Sequence, residues 1–350
     1  MAAYSVIIPI LLSAAVAFVA ALVATPYFMR FMRNIGITGI DQQKRDKPLI
    51  PTSGGMPVVF AFFLGLMTFI ALNTFVFGTH ADLNLLLAAG LSTFSIALVG
   101  FFDDLYVRKT LVVNASAAQE YRVGLKQWQK PLLTLVAAIP LMAVYAGASS
   151  MTFPFVGVVQ LGWAYPLLLI PLAVVCVSNA TNMLAGLNGL EAALMIPPAL
   201  VVAYWSYRFS NVEGAIIAAL GAASLLAFLW FNWHPSRMLP GDSLTYFSGA
   251  MFVTAIILGN VEKLGLALFI PWIIEAFLKL RGRFKVRSYG DLQKDGSIKA
   301  PYTRIYSLTH VAMKIGQKMK PKWNERQLVL SLVALEFLVI AFAFAMVKVG

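Results

Sequence analysis

Apolar residues fill this chain in long blocks separated by short polar stretches. A block of about 17 or more mostly apolar residues is the length of helix that crosses roughly 30 Å of hydrocarbon. About ten such blocks can be drawn, at roughly residues 4–30, 55–77, 84–101, 131–148, 163–179, 188–207, 213–231, 243–258, 263–280 and 328–347. The pattern predicts an all-α polytopic membrane protein, a single integral membrane domain over 1–350 with about ten transmembrane helices and a large polar loop at 281–327. The first block, from Tyr4 to about Phe31, lacks a basic leading segment and exceeds the length of a cleavable signal, so it is expected as a retained span. Pro271 and Glu275 fall inside the ninth block, which predicts a kink or a cavity-facing helix.

Composition removes the alternative of a soluble domain, since 60% of the residues are hydrophobic and 12% charged. The net charge of +12 does not indicate nucleic-acid binding, because the cations lie between the apolar blocks, where they set topology. The polar segments after the odd-numbered blocks, with their flanks, hold 24 of the 27 Lys and Arg residues, and the other side holds Arg208, Lys263 and Lys348. By the positive-inside rule the odd-numbered loops are cytoplasmic and both termini lie outside, in a multi-pass protein of the cell membrane. Asp41, Lys44, Asp103, Asp104, Asn182, Asn188, Asp242 and the run Arg281–Arg287 then share the cytoplasmic face. The single cysteine, Cys176, sits in an apolar stretch and is expected as a buried thiol. His80, His234 and His310 are too dispersed in the chain to suggest a zinc site. No Walker loop or dinucleotide fingerprint is present. Asn114-Ala-Ser116 and Asn179-Ala-Thr181 read as glycosylation sequons, but on the cytoplasmic side they are chance matches.

Four segments carry candidate chemistry. Gly100-Phe-Phe-Asp103-Asp104 puts adjacent carboxylates at the end of an apolar helix, where they are costly unless a cation such as magnesium joins them with a diphosphate. A solvated helix end is the plainer reading of that pair alone. Asn179-Ala-Thr-Asn182-Met-Leu-Ala-Gly186-Leu-Asn188-Gly-Leu-Glu191 packs amides and glycines between two spans. Amides offer both donor and acceptor to a base edge or a metal, and an ordinary capped turn is the alternative. Asp242 in Pro240-Gly-Asp-Ser243 is either a helix N-cap or a third carboxylate for the same metal. Arg281-Gly-Arg283-Phe-Lys285-Val-Arg287 either fixes topology and anchors lipid headgroups or clamps a diphosphate.

In order along the chain, these segments resemble the polyprenyl-phosphate N-acetylhexosamine-1-phosphate transferase family. Ile40-Asp41-Gln-Gln-Lys44 through Ile50-Pro-Thr-Ser-Gly-Gly55 is similar to that family's first cytoplasmic loop. The similarity extends from about residue 36 to 310. The asparagine motif leans toward the archaeal and eukaryotic dolichyl-phosphate GlcNAc-1-phosphotransferases, and the last loop lacks the histidine triplet of the bacterial peptidoglycan-precursor branch. The resemblance implies a UDP-GlcNAc donor, a dolichyl or other polyprenyl phosphate acceptor in the bilayer, release of UMP at the first membrane step of N-glycan assembly, and an archaeal source. A homodimer is compatible with it.

Carried onto this sequence, the resemblance makes Asn182 and Asp242 ligands of Mg²⁺, with Mn²⁺ as a substitute. It makes Asp103 and Asp104 the catalytic pair and puts Lys130 on phosphate. Gly186 and Asn188 hold uracil, and Asp41, Lys44, Asn179, Glu191, Arg281, Arg283 and Lys285 complete the substrate site. Three departures stand out: Thr52 replaces a usual glutamate, Leu239 replaces an aromatic ring, and the segment between Asp104 and Lys130 is longer than in the eukaryotic form. Another UDP-N-acetylhexosamine used for envelope polymer is the alternative within the family. A secondary transporter is the alternative outside it, and the absence of visible repeats disfavours that reading.

Overall fold

The computed structural model describes residues 2–346 except 80, 106–107, 115–116, 124, 154–156 and 321. His80, Tyr106, Ser116 and Lys348 therefore lie outside the described residues. Helices dominate because a chain in hydrocarbon must satisfy its backbone hydrogen bonds within each segment. They are α1 (Ala2–Asn34), α2 (Gly55–Leu72), α3 (Leu83–Leu105), α4 (Gln129–Ala137), α5 (Ile139–Ala143), α6 (Ile170–Thr181), α7 (Leu190–Arg208), α8 (Val212–Asn232), α9 (Gly241–Gly259), α10 (Glu262–Leu268), α11 (Ile270–Arg281), α12 (Leu308–Met319) and α13 (Glu325–Met346). Among the described residues, seven segments are long and apolar enough to cross a membrane. Shorter apolar helices occupy Gln129–Ala143 and Tyr165–Thr181. The expected ninth span is broken at Phe269 between α10 and α11, with Pro271 in the first turn of α11, where its missing N–H costs nothing. Row upon row of apolar side chains face outward, including Leu11 and Val23 on α1 and Phe337 and Leu338 on α13, as a lipid-facing surface requires.

The centre of the bundle is α9. Its residues from Ser243 to Gly259 are all buried, and α2, α3, α6, α7 and α8 pack around it. One end of α9 therefore meets the ends of α3 and α6 and the start of α2 and α7, which brings the polar segments between these helices together.

Short structures absent from the hydropathy pattern decorate the loops. Among the described residues, four antiparallel strand pairs join β1 (Thr38–Ile40) with β2 (Leu49–Pro51), β3 (Arg108–Asn114) with β4 (Ala117–Val123), β5 (Ser150–Phe153) with β6 (Gly157–Gln160), and β7 (Asp291–Leu292) with β8 (Ile298–Lys299). The end of β2 and the turn into α2 are stitched to the segment just before α9 by backbone bonds from Leu239 N–H to Pro51 O (2.8 Å) and from Gly54 N–H to Leu239 O (3.0 Å). The 281–327 loop folds back over the same end. It is held by Glu275, whose carboxylate accepts from the Ser307 hydroxyl (3.1 Å) and the Leu308 N–H (2.7 Å) at the start of α12.

Candidate active site

Three aspartates from two helices meet one lysine from a third. Asp103 and Asp104 end α3, Asp242 lies in the first turn of α9, and Lys130 lies in the first turn of α4. Asp104 accepts the backbone N–H groups of Asp242 (2.8 Å) and Ser243 (3.2 Å). The first N–H groups of a helix have no partner within it, and the helix dipole favours a carboxylate there. The sequence offered Asp242 as its own helix cap; the structure gives that place to Asp104. Such close approach depends on two glycines. A side chain at Gly100 would collide with the Asp242 carbonyl, and Gly241 adopts a φ of +68° with Asp104 against its Cα.

Lys130 Nζ pairs with Asp103 and lies 3.2 Å from Asp242 Oδ2. Asp103 also accepts the Leu125 N–H. Asn182, just beyond the last turn of α6, donates from Nδ2 to Asp242 Oδ2 at 3.2 Å and accepts the Thr245 hydroxyl at 3.0 Å. Two carboxylates facing one ammonium, with the Asp104 carboxylate behind them on the N-terminus of α9, leave a surplus of negative charge in a largely buried setting, which a cation offsets. Asp242 offers carboxylate oxygens and Asn182 an amide oxygen, Oδ1, that now accepts from Thr245; oxygen donors of this kind suit a hard divalent cation. Among the described residues no group of three or more His, Cys, Asp or Glu is disposed to hold a metal. Two protein ligands suit magnesium, which takes its remaining ligands from phosphate and water.

Asn179 lies one turn away and is fully engaged. It accepts from Tyr246 OH (3.0 Å) and donates to Thr134 Oγ1 (3.1 Å) and Val175 O (2.8 Å), so it ties α4, α6 and α9 together.

Beside Asp242 opens a cavity of about 220 Å³ whose walls include Asn182, Gly186, Asn188, Glu191 and Tyr289. Thr52 and Leu239, the two departures from the family pattern, also border it. Glu191 Oε1 accepts the Gly186 N–H at 2.7 Å, while its Oε2 is buried without a hydrogen-bond partner. Asn188 Nδ2 donates to Asp41 Oδ2 at 2.8 Å, and Lys44 Nζ lies 3.6 Å from the same oxygen.

The basic strip is only partly brought to this place. Arg281, Arg283 and Lys285 are exposed, with the Arg281 guanidinium 5.9 Å from the centre of the Tyr306 ring. The member that enters a cavity is Arg287, which shares a cleft of about 640 Å³ with Lys44, Arg45, Lys47 and Lys294. Tyr289 borders both this cleft and the smaller cavity. An apolar cavity of about 560 Å³ lies between α6, α9 and α10, lined by Tyr165, Val177, Phe252 and Phe269 among others. Cys176, expected to be buried, is exposed and faces it.

Three residues at this end escaped sequence reading. Glu325 and His234 join the Lys44 cluster, and Tyr289 covers Gly186. His234 and Glu325 sit 190 and 281 residues from Lys44 in the chain, and no local pattern marks them. Tyr289 has a local signal only in being an aromatic residue just after a basic run.

The profile of glycosyl transferase family 4 matches residues 86–260, from α3 to the end of α9. A protein of Saccharolobus solfataricus is 32% identical over 339 residues, 96% of each chain. The chain belongs to glycosyl transferase family 4. A second relative, from Sulfolobus acidocaldarius, is 30% identical over 97% of each chain, and both archaeal proteins carry the provisional name UDP-N-acetylglucosamine–dolichyl-phosphate N-acetylglucosaminephosphotransferase. A Dictyostelium discoideum protein with that name, unqualified, is 28% identical over 68% of this chain and 63% of its own. The family 4 match contains Asp103, Asp104, Lys130, the 179–191 segment and Asp242, while Asp41, Lys44 and the basic strip lie outside it and within the span of the two full-length relatives.

Proposed function

We propose that this protein transfers GlcNAc-1-phosphate from UDP-GlcNAc to dolichyl phosphate, releasing UMP, at the cytoplasmic face of a cell membrane that it crosses many times with both termini outside. The observation that carries the reading is the meeting of Asp103, Lys130, Asn182 and Asp242 beside an amide-walled cavity sized for part of a nucleotide. The names of the full-length relatives point to the same donor and acceptor.

The donor's base enters the 220 Å³ cavity between Gly186, Asn188 and Tyr289, with its diphosphate toward Asp242. Asn182 and Asp242 would hold the magnesium ion, which when bound supplies charge neutralisation to the diphosphate and the departing UMP. Lys130 screens the repulsion between the two anionic substrates, and Asp103 orients the acceptor phosphate or takes its proton. An acceptor phosphate oxygen attacks the β-phosphorus. A new P–O bond forms, the bond from the β-phosphorus to the bridging oxygen breaks, and UMP leaves with the electron pair. Asp104 holds Asp242 in place. The apolar cavity along α6 accommodates isoprenoid, and its Val177 edge lies two residues from Asn179.

The test is an assay in membranes carrying the protein, given labelled UDP-N-acetylhexosamines in turn with dolichyl or undecaprenyl phosphate. Label from UDP-GlcNAc should pass to dolichyl phosphate as a diphosphate-linked sugar, with magnesium required. Transfer of a different sugar, or no lipid label at all, would overturn the reading.

A further inference from the structure

We infer that Glu325, at the start of the last helix, is a positioning residue that sets the affinity for the nucleotide donor through Asn188 and Lys44. The inference rests on the proposed transfer reaction and deepens it. Glu325 is 3% exposed, and both its oxygens are used. Oε1 accepts the backbone N–H of Asn188 at 2.8 Å. Oε2 lies 2.7 Å from Lys44 Nζ and 2.9 Å from His234 Nδ1. Lys44 in turn approaches Asp41 Oδ2, which accepts the side-chain amide of Asn188. The contacts close a ring, Glu325–Asn188–Asp41–Lys44–Glu325, that joins the first polar loop, the asparagine loop and the start of α13. His234 adds the segment between α8 and α9.

A plain helix-capping role does not account for this carboxylate. The start of α13 is already capped by a reciprocal pair, with Gln327 N–H donating to Asn324 Oδ1 (3.0 Å) and Asn324 N–H donating to Gln327 Oε1 (3.1 Å). Glu325 is turned away to three other segments. It borders neither polar cavity, whereas Asp41 and Asn188 border the 220 Å³ cavity and Lys44 borders the basic cleft. The carboxylate therefore acts on the donor through the residues it holds. Its charge also keeps Lys44 between two carboxylates, Glu325 and Asp41, which fixes the ammonium on the side of the basic cleft nearest Asp41.

Glu325→Gln keeps an oxygen for the Asn188 N–H and removes the charge that holds Lys44. The donor KM should rise about tenfold, the size of one weakened hydrogen bond to a charged group. kcat should stay within about twofold and the acceptor KM should not move. Glu325→Ala should raise the donor KM further, so that Gln acts as a partial rescue. His234→Asn should fall between wild type and Glu325→Gln. UMP binding to purified protein, read as a thermal-midpoint shift, gives the same ranking without turnover, so it still tests Glu325 if the wild type transfers nothing to lipid and the reaction itself is misread. If Glu325→Ala fails to fold, Glu325→Gln and His234→Asn carry the test. An unchanged donor KM and UMP affinity in Glu325→Gln, or equal rises in both substrate KM values, would overturn the inference.

Discussion

Asp104 accepts the backbone N–H of Asp242 at 2.8 Å, and the carboxylate next to it, Asp103, pairs instead with Lys130. Two residues adjacent in sequence thus face different tasks. Successive positions on a helix point about 100° apart, so one carboxylate reaches the N-terminus of α9 while the other faces the lysine of α4.

The two aspartates should separate experimentally. Asp104→Asn retains one accepting oxygen and loses the charge that steadies α9, so Asp242 shifts. Residues that orient a metal ligand typically cost ten- to a hundredfold in metal affinity or activity, roughly, when changed. The expected result is a raised magnesium requirement, with activity partly restored by excess magnesium. A deep loss of turnover at unchanged magnesium dependence would mean that Asp104 acts on substrate.

If Asp242 is a ligand of the proposed magnesium ion, Asp242→Asn removes its charge and should lower turnover by at least ~10²-fold, the scale of losing one strong electrostatic contact to a transition state. Magnesium together with UDP should no longer raise the thermal midpoint of the purified variant. Near-normal activity in folded variant protein would remove Asp242 from the metal site.

The helical skeleton and the acidic cluster were legible because each is written locally. Apolar blocks mark the spans, and Asp103, Asn182 and Asp242 all stand at the ends of such blocks, so antiparallel packing is enough to gather them. Lys130 could be placed by resemblance alone, and the structure brings it to Asp103 and Asp242 across the longer intervening segment. Arg281, Arg283 and Lys285 show the limit. Their alternation suggested a clamp, but whether a loop cation points into a cavity depends on how the loop folds back, and that is decided by contacts of Glu275 and Ser288 with Ser307, Leu308 and Thr309, about twenty residues beyond the run. Glu325 is harder still, since a charge at a helix start is common and its partners are Lys44, Asn188 and His234.

Sidedness can be read with single cysteines in a Cys176→Ser background. Lys294→Cys, in the exposed turn between β7 and β8, should react only from the cytoplasm, and Val158→Cys, 67% exposed on β6, only from outside. The 24-to-3 division of Lys and Arg motivates the assignment. Reaction of Lys294→Cys from outside would invert the proposed active face.

His310 should make the 281–327 loop acid-sensitive. Burial first, and the Lys279 charge next, push its imidazole down from 6.5 to about 4. Its ring nitrogens meet the Arg287 carbonyl (3.1 Å) and the Tyr306 N–H (3.3 Å), a pattern that requires the neutral form. The unfolded chain binds the proton at higher pH, so this stabilisation is complete above about 6.5 and is lost as pH falls toward 4. Thermal midpoints of detergent-solubilised protein should fall across that window. His310→Gln, which cannot take the charge, should flatten the fall; an equal slope in the variant would locate the acid sensitivity elsewhere.

The last prediction separates direct attack from a covalent aspartyl route. Asp103 is already committed to an ion pair with Lys130 and to the Leu125 N–H, and a carboxylate held that way is a weakened nucleophile but a well-placed orienting group. The acceptor is a phosphate with a second pKa of about 6, mostly ionised at neutral pH and competent to attack unaided. Direct attack therefore requires no phosphorylated enzyme. Asp103→Asn should lose most activity at low pH, where the acceptor is monoprotonated and a base helps, and recover in part as pH rises through about 6. In the covalent route an aspartate would displace UMP before the acceptor arrives, giving ping-pong kinetics. Delipidated enzyme incubated with labelled UDP-GlcNAc and magnesium distinguishes the two. Direct attack gives no UMP until dolichyl phosphate is added. A burst of UMP equal to the enzyme, with sugar phosphate retained on the protein and lost in Asp103→Asn, would establish Asp103 as the nucleophile and end the case for direct attack.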